Sequence, residues 1–480
     1  MARHDLIFRN VVLIDGTGAD RMPGDLAVTG DRISAMGDLT GENAGVEIDG
    51  GGVVLAPGFV DAHCHDDHVL FDRPLLEAKV SQGVTTVVNG NCGISLAPLP
   101  PGRPPIPQPV SLLSGNSDHF FKSFKDYFSA LAKDPPAVNN VCLVGHSTLR
   151  HGAMDNLSRP ADPAEIRLMT ERLDEALEQG AIGLSTGLYY PTASAAPTEE
   201  VIAISQCLAR HNGLYVTHMR DEADAIDASL EETFRIGREA GVAVVVSHHK
   251  CIGEPNHGRS EQTLAQIDTA RLTQDVGLDV YPYVATSTIL QADRVDLSSK
   301  VLITWSDSMP TATGRDLDEI AAELGCNRQE AARRLMPGGA IYFLMDEADV
   351  RRILRYEHTM VGSDGIVQDK HPHPRAWGTF PRVLGHYARD EKLFSLEQAV
   401  RKMTSLTARR FGLADRGELR VGAFADLVLF DPDTVRDTAD FACPDSPAAG
   451  IHQVYTNGRC IWRDQAATGE RPGRNLRRVV

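Results

Sequence analysis

Eight apolar runs recur along this chain, and helical stretches separate most of them; no other feature restricts the fold as much. The runs span residues 53–61, 84–89, 140–145, 181–185, 214–217, 242–247, 277–281 and 359–363. Several are continuous Val/Ile/Leu, the composition of parallel strands buried on both faces. Residues 163–180, 199–210, 225–240 and 261–272 read as helices between them. Strand-then-helix repeated eight times predicts an α/β fold, a closed (β/α)8 TIM-type barrel. A doubly wound open sheet is the competing architecture, and the local patterns do not exclude it.

A barrel of this type takes about 250 residues or more, and the chain has 480, so a second, smaller unit is expected. Both ends offer it. Residues 6–14, 25–29 and 32–36 read as strands, the last two joined by the hairpin signal Gly30-Asp31. Past Gly412, residues 417–420, 426–430, 454–455 and 461–462 read as strands, with Asn457-Gly458 as a further hairpin signal. The expected division is a barrel over 58–414 and one small β domain built from 1–57 and 415–480. Two stretches interrupt the barrel rhythm. Residues 98–109 are proline-rich and predict a stiff loop. Residues 284–343 are too long for an ordinary connection between the seventh and eighth strands, so they form either a functional lid or a decorative subdomain.

The formal net charge is −17, which argues against a nucleic-acid partner, since phosphate binding wants a basic face. No apolar run approaches the roughly 20 residues of a membrane span. The N-terminal MARHDLIFRN lacks the apolar core of a signal peptide. The eight cysteines form no CxxC pair, and reduced thiols in a cytoplasm are the expectation.

Residues of metal-ligand type gather at the C-terminal ends of the expected strands, the face where barrel active sites lie. The first run ends in Asp61-Ala62-His63-Cys64-His65, and the second leads into Asn89-Gly90-Asn91-Cys92-Gly93. The fifth leads into Thr217-His218, the sixth into Ser247-His248-His249-Lys250, and the eighth into Ser363-Asp364. Any one of these alone reads as packing. Together they place one Cys, two to four His and one Asp at a single mouth, and thiolate with imidazole selects zinc. Zinc with an open position activates water, lowering its pKa to about 7, and a neighbouring Asp can move the proton.

With these motifs the chain resembles the amidohydrolase superfamily, and within it the N-acyl-D-amino-acid deacylases, or D-aminoacylases. The resemblance is carried by APGFVDAHCHDD (56–67), QGVTTVVNGNCGIS (82–95), GHSTLR (145–150), STGLYYP (185–191), THMRDEAD (217–224), SHHKCIG (247–253), DVYPY (279–283), GSDG (362–365), HPHPRAWGTFPRVLG (371–385) and GAFADLVLFDP (422–432). It implies a barrel flanked by a small β-sandwich from both termini. It also implies one tight zinc with Cys92, His218 and His248 as ligands, and a weaker second position at His63 and His65. Asp364 is then the catalytic acid/base. Lys250, Tyr281 and Arg375 hold the substrate α-carboxylate, with Tyr190 a further candidate.

One departure stands out. Many superfamily members bridge two metals with a carboxylated Lys at the end of strand four, where this chain has Ser185-Thr186-Gly187; Cys92 is the natural substitute. The expected reaction is zinc-dependent hydrolysis of a small-molecule N-acyl-D-amino acid to a carboxylate and a free D-amino acid. Ile341, Tyr342 and Met345 suggest neutral, hydrophobic side chains, and Asp296 would disfavour acidic ones if it faced the pocket. The alternatives are a deacylase for N-acyl-D-glutamate or D-aspartate, a cyclic-amide hydrolase, and a non-catalytic scaffold. The sequence leaves the oligomeric state open, and a monomer is compatible with it.

Overall fold

The computed structural model describes residues 4–100 and 105–479; part of the proline-rich stretch and the extreme ends lie outside the described residues. Eight parallel strands form a ring: Phe59–Asp61, Val84–Asn89, Asn139–Cys142 with its continuation Val144–Gly145, Gly183–Gly187, Leu214–His218, Ala243–Val246, Val276–Val280 and Thr359–Val361. The last closes on the first through Ala62 N donating to Val361 O (3.2 Å) and Asp364 N to His63 O (2.7 Å). Closure rules out the open sheet. Side chains alternate with period two. Val60, Val88, Val141, Leu214, Val216, Val245 and Met360 pack together in one buried cluster. Phe59, Val87, Leu184, Tyr215, Val244 and Val361 belong to the larger core that includes the surrounding helices.

The expected first strand is in fact two. Val54–Pro57 ends at Gly58, and Phe59–Asp61 starts the barrel. A side chain at Gly58 would meet Thr85 at 2.3 Å, so the chain passes there only without a Cβ. Val54–Pro57 pairs antiparallel with Leu427–Phe430. That pairing joins both ends of the chain into one nine-stranded sheet. The sheet curls over its own core of Phe8, Leu26, Val28, Leu55, Leu427 and Tyr455 until Arg32 bridges Phe424. Residues 417–420, expected as a strand, form none; Asp415 and Gly417 both have positive φ, which breaks an extended run. The last described residues return to the barrel, where Asn140 N donates to Arg474 O at 2.8 Å.

The long insertion has its own architecture. Ala285–Ile289, Lys300–Ser306 and Gly338–Phe343 form an antiparallel sheet, with helices Leu317–Leu324 and Arg328–Leu335 packed beside it. Its core of Val301, Ile303, Leu317, Ile320, Leu335 and Tyr342 is continuous with Tyr281 and Ile252 from the barrel mouth. The insertion therefore sits directly on the face carrying the metal-ligand residues.

Candidate active site and metal centre

Cys92 reaches the mouth on a loop that demands glycine on both sides. A Cβ at Gly90 would lie 2.1 Å from Leu143 O, and one at Gly93 2.7 Å from Gly187 N. Ser185, at the strand-four end, fastens this loop by donating to Gly90 O and accepting from Gly93 N. Cys92 itself has φ +52°, His248 +35° and Asp364 +48°. Left-handed backbone at a non-glycine residue costs about 1–3 kcal/mol and gathers at functional sites.

Two donor groups share the thiol. Cys92, His218 and His248 have ligand atoms within 4.8 Å of one another, and so do His63, His65, Cys92 and Asp364. The Cys92 sulfur lies 3.2 Å from His63 Nε2 and 3.4 Å from His248 Nε2. Asp364 Oδ1 stands 3.3 Å from His65 Nε2 and 3.5 Å from His63 Nε2. All of these side chains are buried. Burial pushes the Cys92 thiol up, but His63, His248 and His218 outweigh it and hold the group well below the ordinary thiol range. Among the described residues neither ring nitrogen of His218 has a hydrogen-bond partner. A thiolate and imidazoles with unused nitrogens suit zinc.

Beside the donors lie the charged groups of the expected substrate site. Lys250 Nζ donates to Glu222 Oε1 at 2.6 Å and lies 2.7 Å from His248 Nδ1. Arg375 Nη1 pairs with Asp364 Oδ2 at 2.8 Å and Nη2 donates to Ser287 O at 3.1 Å, and among the described residues Nε has no hydrogen-bond partner. Its guanidinium lies over the Tyr281 ring, 4.4 Å from the centroid. Burial raises the Asp364 carboxyl, yet Arg375 and the neighbouring histidines hold it well below the usual range. Tyr190 packs its ring on His218, centroids 4.9 Å apart, and its hydroxyl bonds Thr288 Oγ1 at 3.1 Å. The cavity over the donors is lined by Cys92, His218, His248, Lys250, Asp364 and Tyr190, by Ile94, Leu112 and Ile366, and by Thr286, Thr288 and Arg294 of the insertion.

The residues weighed for the side-chain pocket lie elsewhere. Asp296 is exposed and accepts from Gln329 at 2.6 Å, so it faces away. Ile341 packs with Ala285 and Leu302 inside the insertion sheet, and Tyr342 bonds Ile289 O. Met345 lines a separate cavity with Tyr281 and Tyr283. Arg294 is the charged insertion residue lining the cavity instead, buried and 5.0 Å from the Tyr189 ring centroid. Sequence reasoning also missed Glu222 and the clamp beneath Asp364. In that clamp Asp61 accepts from Lys79 Nζ (2.8 Å), Ser363 N (2.8 Å), Ser363 Oγ (2.6 Å) and His63 N (3.2 Å).

Comparison with known proteins fits this geometry. The family model described as "Amidohydrolase family" matches residues 46–325 and 304–462. The chain belongs to the amidohydrolase family. A D-aminoacylase of Alcaligenes xylosoxydans xylosoxydans is 55% identical over 99% of this chain and 98% of its own. A solved D-aminoacylase, studied for one-metal activation and second-metal attenuation of its binuclear metal centre, superposes with a TM-score of 0.97 at 54% identity, covering 99% of this chain and all of that one. An N-acyl-D-glutamate deacylase from Bordetella bronchiseptica, solved with zinc and a phosphonate mimic of the tetrahedral intermediate, gives 0.96 at 45% identity with the same coverage. Among the described residues no helix is long and apolar enough to cross a membrane.

Proposed function

We infer that this protein is a zinc-dependent hydrolase that cleaves the amide bond of N-acyl-D-amino acids to a carboxylate and a free D-amino acid. One observation carries the reading. A Cys/His donor set, the buried Asp364 carboxylate and the buried Lys250 ammonium converge on one cavity at the barrel mouth. Zinc held by Cys92, His218 and His248 would polarise the acyl carbonyl and acidify a water. Asp364 takes the proton through Oδ1, on the side of the histidines, and passes it to the leaving nitrogen. Arg375 fixes the other oxygen, so the carboxylate presents one face to the reaction. Lys250, Tyr281 and Arg375 take the α-carboxylate, with Tyr190, which lines the same cavity as Lys250, a further candidate. His63 and His65 complete the second, weaker metal position. Fixing carboxylate, carbonyl and side chain at once is what selects one enantiomer. We propose that the barrel of 58–414 acts with the β domain of 1–57 and 415–480 as its support, in the cytoplasm.

A second reading concerns the side chain. Among the described residues Arg294 Nε has no hydrogen-bond partner, and the guanidinium lies over the Tyr189 and Tyr342 rings with no carboxylate within ion-pair distance. A buried charge without a counter-ion is costly, and an acidic substrate side chain would supply one. Release of free amino acid from the N-acetyl derivatives of D-leucine, L-leucine, D-aspartate and D-glutamate tests both readings. Turnover of D forms alone supports the reaction, and its absence for all of them refutes it. Preference for the acidic pair, reversed in Arg294→Met, supports the second reading; preference for leucine refutes it.

A further inference from the structure

Glu222 lies beyond the fifth barrel strand, four residues past His218, and is buried at 3% exposure. Its Oε1 is 2.6 Å from Lys250 Nζ and 3.1 Å from His248 Nδ1; its Oε2 is 3.8 Å from His218 Nε2. One carboxylate thus faces two of the donor imidazoles and the cation assigned to substrate.

The proton on His248 decides what this arrangement does. His248 turns Nε2 toward Cys92, so Nε2 must be unprotonated to bind a metal and Nδ1 must carry the hydrogen. That hydrogen needs an acceptor. Two groups lie within reach of Nδ1, Glu222 Oε1 and the Lys250 ammonium. An ammonium only donates. Left alone with Lys250, Nδ1 would accept from it, Nε2 would keep the proton, and the ligand would be lost. Glu222 supplies the acceptor and at the same time holds the ammonium. Once Nδ1–H points at Glu222, Lys250 can no longer donate to that nitrogen, and the freed N–H is available to a substrate carboxylate.

We propose that Glu222 is a positioning residue that couples the zinc site to the substrate-carboxylate site, setting the His248 tautomer and releasing Lys250 through the same carboxylate. The proposal rests on the reading above that Lys250 holds the substrate α-carboxylate. By linkage, zinc and substrate carboxylate each tighten the other.

The test measures zinc affinity by competition with a chromogenic chelator, without substrate, and KM of the zinc-saturated enzyme. Three variants are compared with wild type. Glu222→Gln weakens zinc by roughly 10–100-fold, the usual effect of losing a ligand's outer partner, and raises KM about tenfold or more through the misplaced ammonium. Lys250→Met raises KM and leaves zinc affinity unchanged. The double variant Glu222→Gln/Lys250→Met recovers most of the zinc affinity, because the Gln carbonyl accepts from Nδ1 once the competing ammonium is gone, while KM stays high. It also removes the unpaired buried cation, so it folds even where the single variant does not. A purely structural Glu222 predicts no such recovery. Wild-type zinc affinity in Glu222→Gln, or no recovery in the double variant, overturns the proposal. If wild type turns over no N-acyl-D-amino acid, the functional reading fails on its own, and the zinc measurements still decide the role of Glu222 toward His248.

Discussion

Asp364→Asn separates the proton-moving role of this residue from everything else it does. Asparagine keeps the size and shape of the side chain, and it is one of the few residues that tolerates the left-handed backbone that position 364 adopts at φ +48°. Its carbonyl can still accept from Arg375, which sits 2.8 Å from Oδ2. The three-donor group of Cys92, His218 and His248 does not include residue 364, so one zinc stays bound. What disappears is the ability to take up and return a proton. General acid–base catalysis is worth about 10²–10⁴ in rate, or about 3–5 kcal/mol on the barrier at 1.36 kcal/mol per decade. The expected result is a variant with one zinc per chain, a thermal midpoint lowered because buried Arg375 loses its counter-charge, and kcat for the preferred N-acetyl-D-amino acid lower by at least a hundredfold. Metal analysis, a melting curve and amino-acid release read the three quantities. A kcat within tenfold of wild type, with zinc retained, would refute the assigned role.

The clamp below Asp364 gives a stability prediction. Lys79→Met leaves Asp61 and Asp66, 2.8 and 3.3 Å from its ammonium, buried without their shared cation, a loss of about 3–5 kcal/mol or more for pairs of this kind; Asp61→Asn in the same chain restores only the part due to Asp61, which melting curves of both variants will show. Lys402 gives a pH prediction. Burial, then Arg401, depress its amine to about 7 from the ordinary 10.5. Between those values the unfolded chain binds more protons than the folded one, so wild type gains stability as pH rises through that window. The difference between wild type and Lys402→Met therefore moves in wild type's favour from pH 7 to pH 10, and a pH-independent difference would exclude the effect. For metal, stripped protein regains activity with one equivalent of zinc. Excess zinc then lowers kcat, because the second donor group engages Asp364 itself; a plateau that holds at several equivalents contradicts this.

The parallel strands were legible because they write their own pattern, with runs such as 242–247 apolar enough for burial on both faces; their closure into a barrel was not, since an open doubly wound sheet has strands of the same kind. The donor residues were legible from position, each one shortly after an apolar run. The boundary at Gly58 was not, since Val54–Pro57 and Phe59–Asp61 are equally apolar and only pairing partners distinguish them. Glu222 was present in the quoted THMRDEAD segment, but Asp221 and Asp224 flank it, and burial of one acid among three is a tertiary fact. The insertion misled most. Apolarity was the guide to pocket residues there, yet Ile341 and Tyr342 spend theirs on the insertion's own core, while a cation, Arg294, lines the cavity.

The left-handed backbone at Cys92, His248 and Asp364 has a common cause. A strand that simply continued would send successive side chains to alternate faces, into the mouth and out toward the helices. Turning the chain sharply at a strand end redirects one side chain over the barrel axis, and left-handed φ provides that turn. Each of the three turns is held by a bond from outside its own segment or within its loop. Asn91 Nδ2 donates to Val88 O at 2.8 Å beside Cys92, His248 N donates to Asp279 Oδ1 at 2.9 Å, and Asp364 N donates to His63 O at 2.7 Å. Asp279 in turn lies 3.5 Å from His63 Nδ1. The strain needed to aim one donor is therefore restrained in part by the segment carrying another. That mutual support aims donors from separate strand ends at one point, at a cost of about 1–3 kcal/mol per turn.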